Sequence, residues 1–307
     1  MPDEIATPAF VLRARPYGES DRIVTFITEQ HGKMTGIAKG AKNSRRRFAG
    51  TLEPFVHVRV VFRLRPTSDL AFLLRCELLE ALRGLTADLD RFAAGSYVLD
   101  LTDRMVLGRE SGVEVYCLVR DALRLLAGGA APDPLLRAVE MHLLRASGWG
   151  PALDRCRGCG TPAKVPLYLV AERGGLLCRR CVPIGEPVRT VAPEIAALLT
   201  RLGMEPLDRA TAPGSASSDA ARVTEELLAS VTSGPVRSRG FLARTRVDSP
   251  TALRLLRGPL SSGEVDPWHD RRPARARARR AADRPRKRRP VAPCTPSVAA
   301  GPTDART

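Results

Sequence analysis

The sequence predicts an α+β protein: a small N-terminal β-barrel, a helical bundle domain with an inserted four-cysteine knuckle, and a disordered basic C-terminal tail. Three observations predict it. Apolar residues alternate with a period of two as far as residue 82 and thereafter recur with the helical period; two C-x2-C pairs interrupt the helical region. The boundaries fall at 1–82 for the barrel, 83–242 for the helical domain with the knuckle at 154–183, and 243–307 for the tail.

The barrel segment opens with Ala9-Phe10-Val11-Leu12. Asp21-Arg22-Ile23-Val24-Thr25-Phe26-Ile27 follows, then Thr35-Gly36-Ile37-Ala38 after a His31-Gly32 turn. Phe55 to Leu64 alternates clearly, and Leu70 to Leu79 supplies a last strand after the turn Pro66-Thr67-Ser68-Asp69. Five short strands in so few residues suit an OB-fold barrel. Helices are expected from Thr86 past Met105, from Val113 to Leu126, and after Pro132-Asp133-Pro134 as far as Ser147-Gly148. They resume at Pro193 to Leu199 and at Ala220 to Val231. Beyond Arg246 periodicity fades into Arg, Pro and Ala, a composition without enough apolar surface to offset chain entropy.

The knuckle reads Cys156-x2-Cys159, eighteen residues, Cys178-x2-Cys181. Each pair lets two thiolates turn onto one ion, and four of them close a tetrahedral shell around a structural Zn2+. The same ligands also serve disulfides, a thioredoxin-like redox pair or an iron–sulfur cluster, but zinc-ribbon spacing favours zinc. Arg155, Arg157, Arg179 and Arg180 flank the ligands, and residues 165–170 read as a strand between the pairs. Cys76 and Cys117 fall on core positions.

Formal net charge is +16, which points to a polyanionic partner. Residues 243–307 carry 16 basic and 6 acidic side chains, so most of the excess sits in the tail. Within the barrel, Lys33, Lys39, Lys42, Arg45, Arg46 and Arg47 form a strip with no acid among them, kept loop-like by Gly36, Gly40 and Asn43. Such a strip neutralises phosphates without reading bases. Phe48 at its end is suited either to stacking a base or to anchoring the loop.

An apolar run long enough to span a bilayer is missing, as is a basic, apolar leader, so no membrane role and a cytoplasmic, nucleoid-associated location are expected. Phosphate loops, dinucleotide fingerprints, HExxH and GxSxG motifs are missing too. His57 and His142 fall on strand and helix patterns that favour structural roles, and Asp100 and Asp103 share a helix without a second carboxylate pair. The expectation is a protein without catalysis. A zinc-ribbon transcription or RNA regulator is the alternative, although aromatics amount to 5% and no recognition helix stands out.

Several pieces fall into one order. Tyr17-Gly18-Glu19-Ser20-Asp21-Arg22-Ile23-Val24, His31-Gly32, Gly36-Ile37-Ala38-Lys39-Gly40-Ala41-Lys42 and Leu52-Glu53-Pro54-Phe55 together resemble the N-terminal part of the bacterial recombination mediator family RecO. Gly148-Trp149-Gly150-Pro151-Ala152-Leu153-Asp154-Arg155-Cys156-Arg157-Gly158-Cys159-Gly160 resembles a later part of it, and the likeness spans about residues 8–242. The resemblance implies DNA repair and recombination. A protein of this kind binds single- and double-stranded DNA, anneals complementary strands and, with RecR, assists RecA on DNA coated by single-strand-binding protein, whose acidic C-terminal tail it binds. By position it gives the DNA-contacting role to Lys39, Lys42, Arg45, Arg46 and Arg47, and the metal-ligand role to Cys156, Cys159, Cys178 and Cys181. This chain departs from the family pattern at Ser233-Gly234-Pro235, before a last segment at 236–242, and in the residues that follow 242.

Overall fold

A computed structural model describes residues 4–65, 68–108, 112–185, 188–210, 217–232 and 236–245. The chain as far as Arg246 forms one compact unit. The expected tail beyond 245, the Pro66-Thr67 part of the β4–β5 turn and Ser233-Gly234-Pro235 lie outside the described residues.

Strands β1 (Ile5–Tyr17), β2 (Asp21–Thr28), β3 (Gly32–Ala38), β4 (Val56–Arg65) and β5 (Ser68–Ala81) close a barrel in the order β1-β2-β3-β5-β4. All neighbours are antiparallel except β3 and β5, which run parallel through Thr35↔Leu70 to Ala38↔Leu73. This is the OB-like barrel the strand count predicts. Gly36 is not a loop residue, as expected from sequence, but the middle of β3. An added Cβ there would come within 2.5 Å of the Leu73 side chain and 3.2 Å of the Ala71 carbonyl oxygen, so a larger residue would force Leu73 to move.

The strands pack on two sides because side chains alternate. Ala9 and Val11 of β1, Val24 and Phe26 of β2, Met34 of β3 and Val58, Val60 and Phe62 of β4 fill the barrel. Phe10 and Leu12, on the other face of β1, and Ile27 of β2 join a second core made with the helices. Bulges at Val11/Arg13, His57/Val58 and Val61/Phe62 re-aim side chains where one face meets helices and another solvent.

That second core is organised by α2 (Leu89–Met105), which follows a short turn α1 (Arg83–Thr86). Asp88 caps α2 by accepting the Arg91 backbone N–H at 2.9 Å. The helix ends at Met105, where it was expected to run on. Around it pack α3 (Gly112–Ala127), α4 (Pro132–Ala146) and α7 (Arg237–Thr245), with α5 (Pro193–Leu202) and α6 (Ser217–Val231) behind α4. Pro132 and Pro193 each begin a helix, where a missing N–H costs nothing. The last segment expected at 236–242 supplies most of α7, with Ser238 donating to Asp100 Oδ2 at 2.8 Å and Phe241 edge-on to Phe92.

Two buried polar groups tie the parts together. Arg137 and Glu140 of α4, 2% and 0% exposed, pair at 2.7 Å; Tyr97 of α2 donates to Glu140 at 2.6 Å, and Arg137 donates to Thr224 of α6 at 2.8 Å. Removing one partner strands a buried charge, which costs about 3–5 kcal/mol. At the barrel–helix junction His57 stacks on Phe10 with centroids 4.5 Å apart and shares a 2.7 Å hydrogen bond with Tyr116 Oη of α3. Phe55, at φ 63° in the left-handed region, wedges its ring against Gly95 and Phe92 of α2.

Burial, and then Arg124, hold the His57 imidazole down to about 4 from 6.5. Above pH 6.5 the ring is neutral whether folded or unfolded and contributes no pH dependence. Between 6.5 and 4 only the unfolded chain takes up the proton, so stability falls by on the order of 3 kcal/mol over that window. Urea unfolding at about pH 7.5, 5.5 and 4.5, one value above the ordinary imidazole pKa and two inside the window, should show the decline, and His57→Phe should remove this part of it.

Candidate metal centre and nucleic-acid interface

The cysteine pairs are brought together by a three-stranded sheet, β7 (Gly175–Leu177), β6 (Leu167–Val170) and β8 (Arg189–Val191), in that order. β6 starts two residues later than the strand expected from 165. The first turn is closed by Cys156 N–H to Thr161 O at 2.7 Å and Gly160 N–H to Cys156 O at 2.8 Å; the second by Cys181 N–H to Cys178 O at 2.8 Å. An added Cβ on Gly158 would stand 3.0 Å from Cys181 Sγ, so the first turn can lie directly over the second.

All four Sγ atoms lie within 4.8 Å of one another. Cys159 and Cys178 Sγ are 3.7 Å apart, far beyond a disulfide bond. A tetrahedral ion with ligands at about 2.3 Å separates its sulfurs by roughly 3.8 Å, so the donor set fits one closed four-thiolate ion. The Cys178 backbone N–H donates to Cys156 Sγ at 3.2 Å, steadying a thiolate. Hydrogen bonds led by the Thr161 hydroxyl hold Cys159 down to about 6, whereas Cys178 and then Cys159 push Cys181 up to about 12. Four sulfurs this close cannot all ionise without a cation among them. Cys156 is buried against the helical core through its neighbours Leu153, Leu176 and Leu177, so the ion would tie the knuckle to that core. Cys76 is buried, its thiol pushed up to about 12 by burial, and Cys117 is half-buried against the helical core.

Of the flanking arginines, Arg155 pairs with Asp154 at 2.7 Å and Arg157 donates to Gly174 O at 3.1 Å. Both hold the knuckle's loops.

The cationic strip leaves the end of β3 and folds back over β5. Asp21 organises it, accepting the Gly40 backbone N–H at 2.8 Å and pairing with Lys39 at 3.2 Å. The Gly40 hydrogen bond, more than Lys39, holds the Asp21 carboxyl below its usual range. Lys42 donates to Gly18 O at 3.0 Å, and Arg47 to Lys39 O at 2.9 Å with its guanidinium 5.2 Å above the Phe48 ring. Arg45 and Arg46 are exposed and make no ion pair among the described residues. Phe48 itself is 3% exposed in the barrel core, so it anchors the loop and is not available to a base.

Lys33 leaves the strip. It is bound at 2.8 Å to Asp103 of α2, which also meets Arg13 at 3.5 Å. Seventy residues separate this pair, and no local pattern announces it. Asp100 likewise serves Arg104 and Ser238. His142 meets Glu205 O at 2.9 Å, and His31 stands edge-on to Phe62. The two carboxylates and His57, His142 and His31 thus have structural partners. None of the described helices is long and apolar enough to cross a membrane.

An OB-like barrel with an exposed cationic loop is thus joined to helices that carry a four-cysteine knuckle suited to a metal ion. Residues 1–82 match the family described as Recombination protein O N terminal, and residues 86–240 the one described as Recombination protein O C terminal. A protein from Anaeromyxobacter sp. (strain Fw109-5) named DNA repair protein RecO is 38% identical over 215 residues, covering 69% of this chain and 84% of the relative. Proteins of the same name from Syntrophus aciditrophicus and a Nocardioides strain are 38% identical over 177 residues and 36% over 199, with 68% and 80% of each relative covered. The chain belongs to the RecO family of DNA repair proteins.

Purified protein should carry close to one metal ion per chain by elemental analysis (one closed four-thiolate shell). Cys178→Ser should lose it and lower the unfolding midpoint, because ion binding here is folding free energy.

Proposed function

We propose that this protein is a non-catalytic recombination mediator. It binds single- and double-stranded DNA, anneals complementary strands and, with RecR, assists RecA loading on DNA coated by single-strand-binding protein, whose acidic tail it engages. The reading rests on family membership and, for DNA, on one observation: Lys39, Lys42, Arg45, Arg46 and Arg47 stand exposed on one barrel loop. Its backbone is fixed by Asp21 and Phe48, so the cations are presented on a rigid frame. Phosphate neutralisation by such a frame supplies affinity without sequence preference. The metal is a structural Zn2+, which when bound cross-links the knuckle, and the barrel carries the DNA contacts. A division into barrel, helical body and basic tail near residues 82 and 242 assigns each part its share of this work, in a cytoplasmic, nucleoid-associated protein.

Replacing the five loop cations by alanine should weaken binding of a labelled single strand at low salt at least tenfold (each lost phosphate contact removing about 0.7 from the salt slope). Unchanged affinity and slope would move the interface elsewhere. Strong preference for one base sequence in competition would instead favour a zinc-ribbon regulator.

A further inference from the structure

The four thiols of the knuckle are not equivalent to a reagent arriving from solvent. Cys156 is 1% exposed among Leu153, Leu176 and Leu177, and Cys178 and Cys181 are half-buried. Cys159 is exposed, because it stands between Gly158 and Gly160, neither of which has a side chain to cover it. Cys76 is closed inside the barrel and takes no part.

The exposed thiol also has a partner within reach. Cys159 Sγ is 3.2 Å from the Thr161 hydroxyl and 3.7 Å from Cys178 Sγ, which belongs to the other C-x2-C pair. Its own pair-mate is engaged elsewhere: the Cys178 backbone N–H donates to Cys156 Sγ at 3.2 Å. The two turns already touch, since Gly158 lies directly over Cys181. Closing 3.7 Å to a disulfide bond of about 2.05 Å takes about 1.7 Å of sulfur movement, on the scale of a side-chain rotation.

We infer that the knuckle is a redox-responsive clasp in which Cys159 reacts with hydroperoxides and Cys178 completes a disulfide with it. The inference rests on the proposed structural ion and extends it. In the first step the Cys159 thiolate attacks hydrogen peroxide: an S–O bond forms, the O–O bond breaks and hydroxide leaves, giving a sulfenic acid. Cys178 then attacks that sulfur; the S–S bond forms, the S–O bond breaks and a second hydroxide leaves. Two thiolates lose two electrons and one peroxide gains them, while both hydroxides take protons from solvent. Only Cys156 and Cys181 then remain as donors, too few for a closed four-thiolate shell, so the ion is released. The new bond joins the same two turns that the ion joins. The knuckle therefore keeps its closure through oxidation, and a dithiol reductant with fresh metal restores the first state.

The test uses the full-length, zinc-loaded protein and a brief exposure to hydrogen peroxide. Dimedone, which captures sulfenic acids, should label Cys159 at least about fivefold more than any other cysteine, as exposure directs. Without the trap, mass spectrometry of peptides from the non-reduced protein should find the Cys159–Cys178 bond. A chromogenic chelator should read release of about one ion per chain, from one four-thiolate shell, and dithiothreitol with zinc should reverse both changes. All of these readings come from the unsubstituted chain, so none depends on a variant that folds. A bond within either C-x2-C pair, a bond from Cys159 to any other cysteine, dominant labelling elsewhere, or metal that stays bound overturns the inference and leaves the ion reading standing. Protein that carries no metal before exposure overturns both.

Discussion

The architecture depends on β1 being buried on both faces. Ala9 and Val11 complete the barrel, while Phe10 and Leu12 on the same few residues complete the helical core. A one-residue slip would exchange the two sets, sending Phe10 into a barrel already filled by Phe26 and Phe62. Register is therefore fixed from two directions, and the barrel cannot swing on the helices without opening both cores. Phe10 also carries His57, which reaches Tyr116, so the junction has a polar lock beneath its apolar contacts.

This arrangement decides which surface is left for a ligand. Helix α3 covers the Ile27 end of β2 and β3, and Lys33 is spent on Asp103 at that covered side. The remaining outer face and the loop after β3 lie at the opposite end, where Asp21 gathers the backbone. The cations of this region are sorted by their partners: Lys33 and Arg13, near Asp103 of α2, hold the fold, while Arg45 and Arg46 face solvent.

Much of this was legible in the sequence. The period-two segments gave the five strands, the helical period gave α2 to α6, and two C-x2-C spacings gave the knuckle, because each signal is local. What was not legible depends on distance along the chain. Gly36 reads as a loop glycine until Leu73 is brought beside it. Phe48 reads equally as a stacking residue or a loop anchor until the barrel closes over it and leaves the anchor. The consecutive apolar residues Ala9 to Leu12 indicate burial on both sides, but not that the second side is another domain's core. Arg137 and Glu140, three apart on a helix, resemble an ordinary surface pair until Tyr97 and Thr224 arrive from other helices. The four-cysteine knuckle and this network differ in kind: the first offers a donor set for an ion from outside the chain, and the second closes on charges within it.

The seam between β3 and β5 has a mechanical meaning. It is the parallel contact of the barrel, four residue pairs long, where β1 and β2 share eight. Parallel pairing is also slightly weaker per residue. Gly36, at its middle, contributes no side chain of its own, and Leu73 of β5 fills the space one would take. When the barrel breathes it should part along this line, so amide protons of residues 35–38 and 70–73 should exchange before those between β1 and β4.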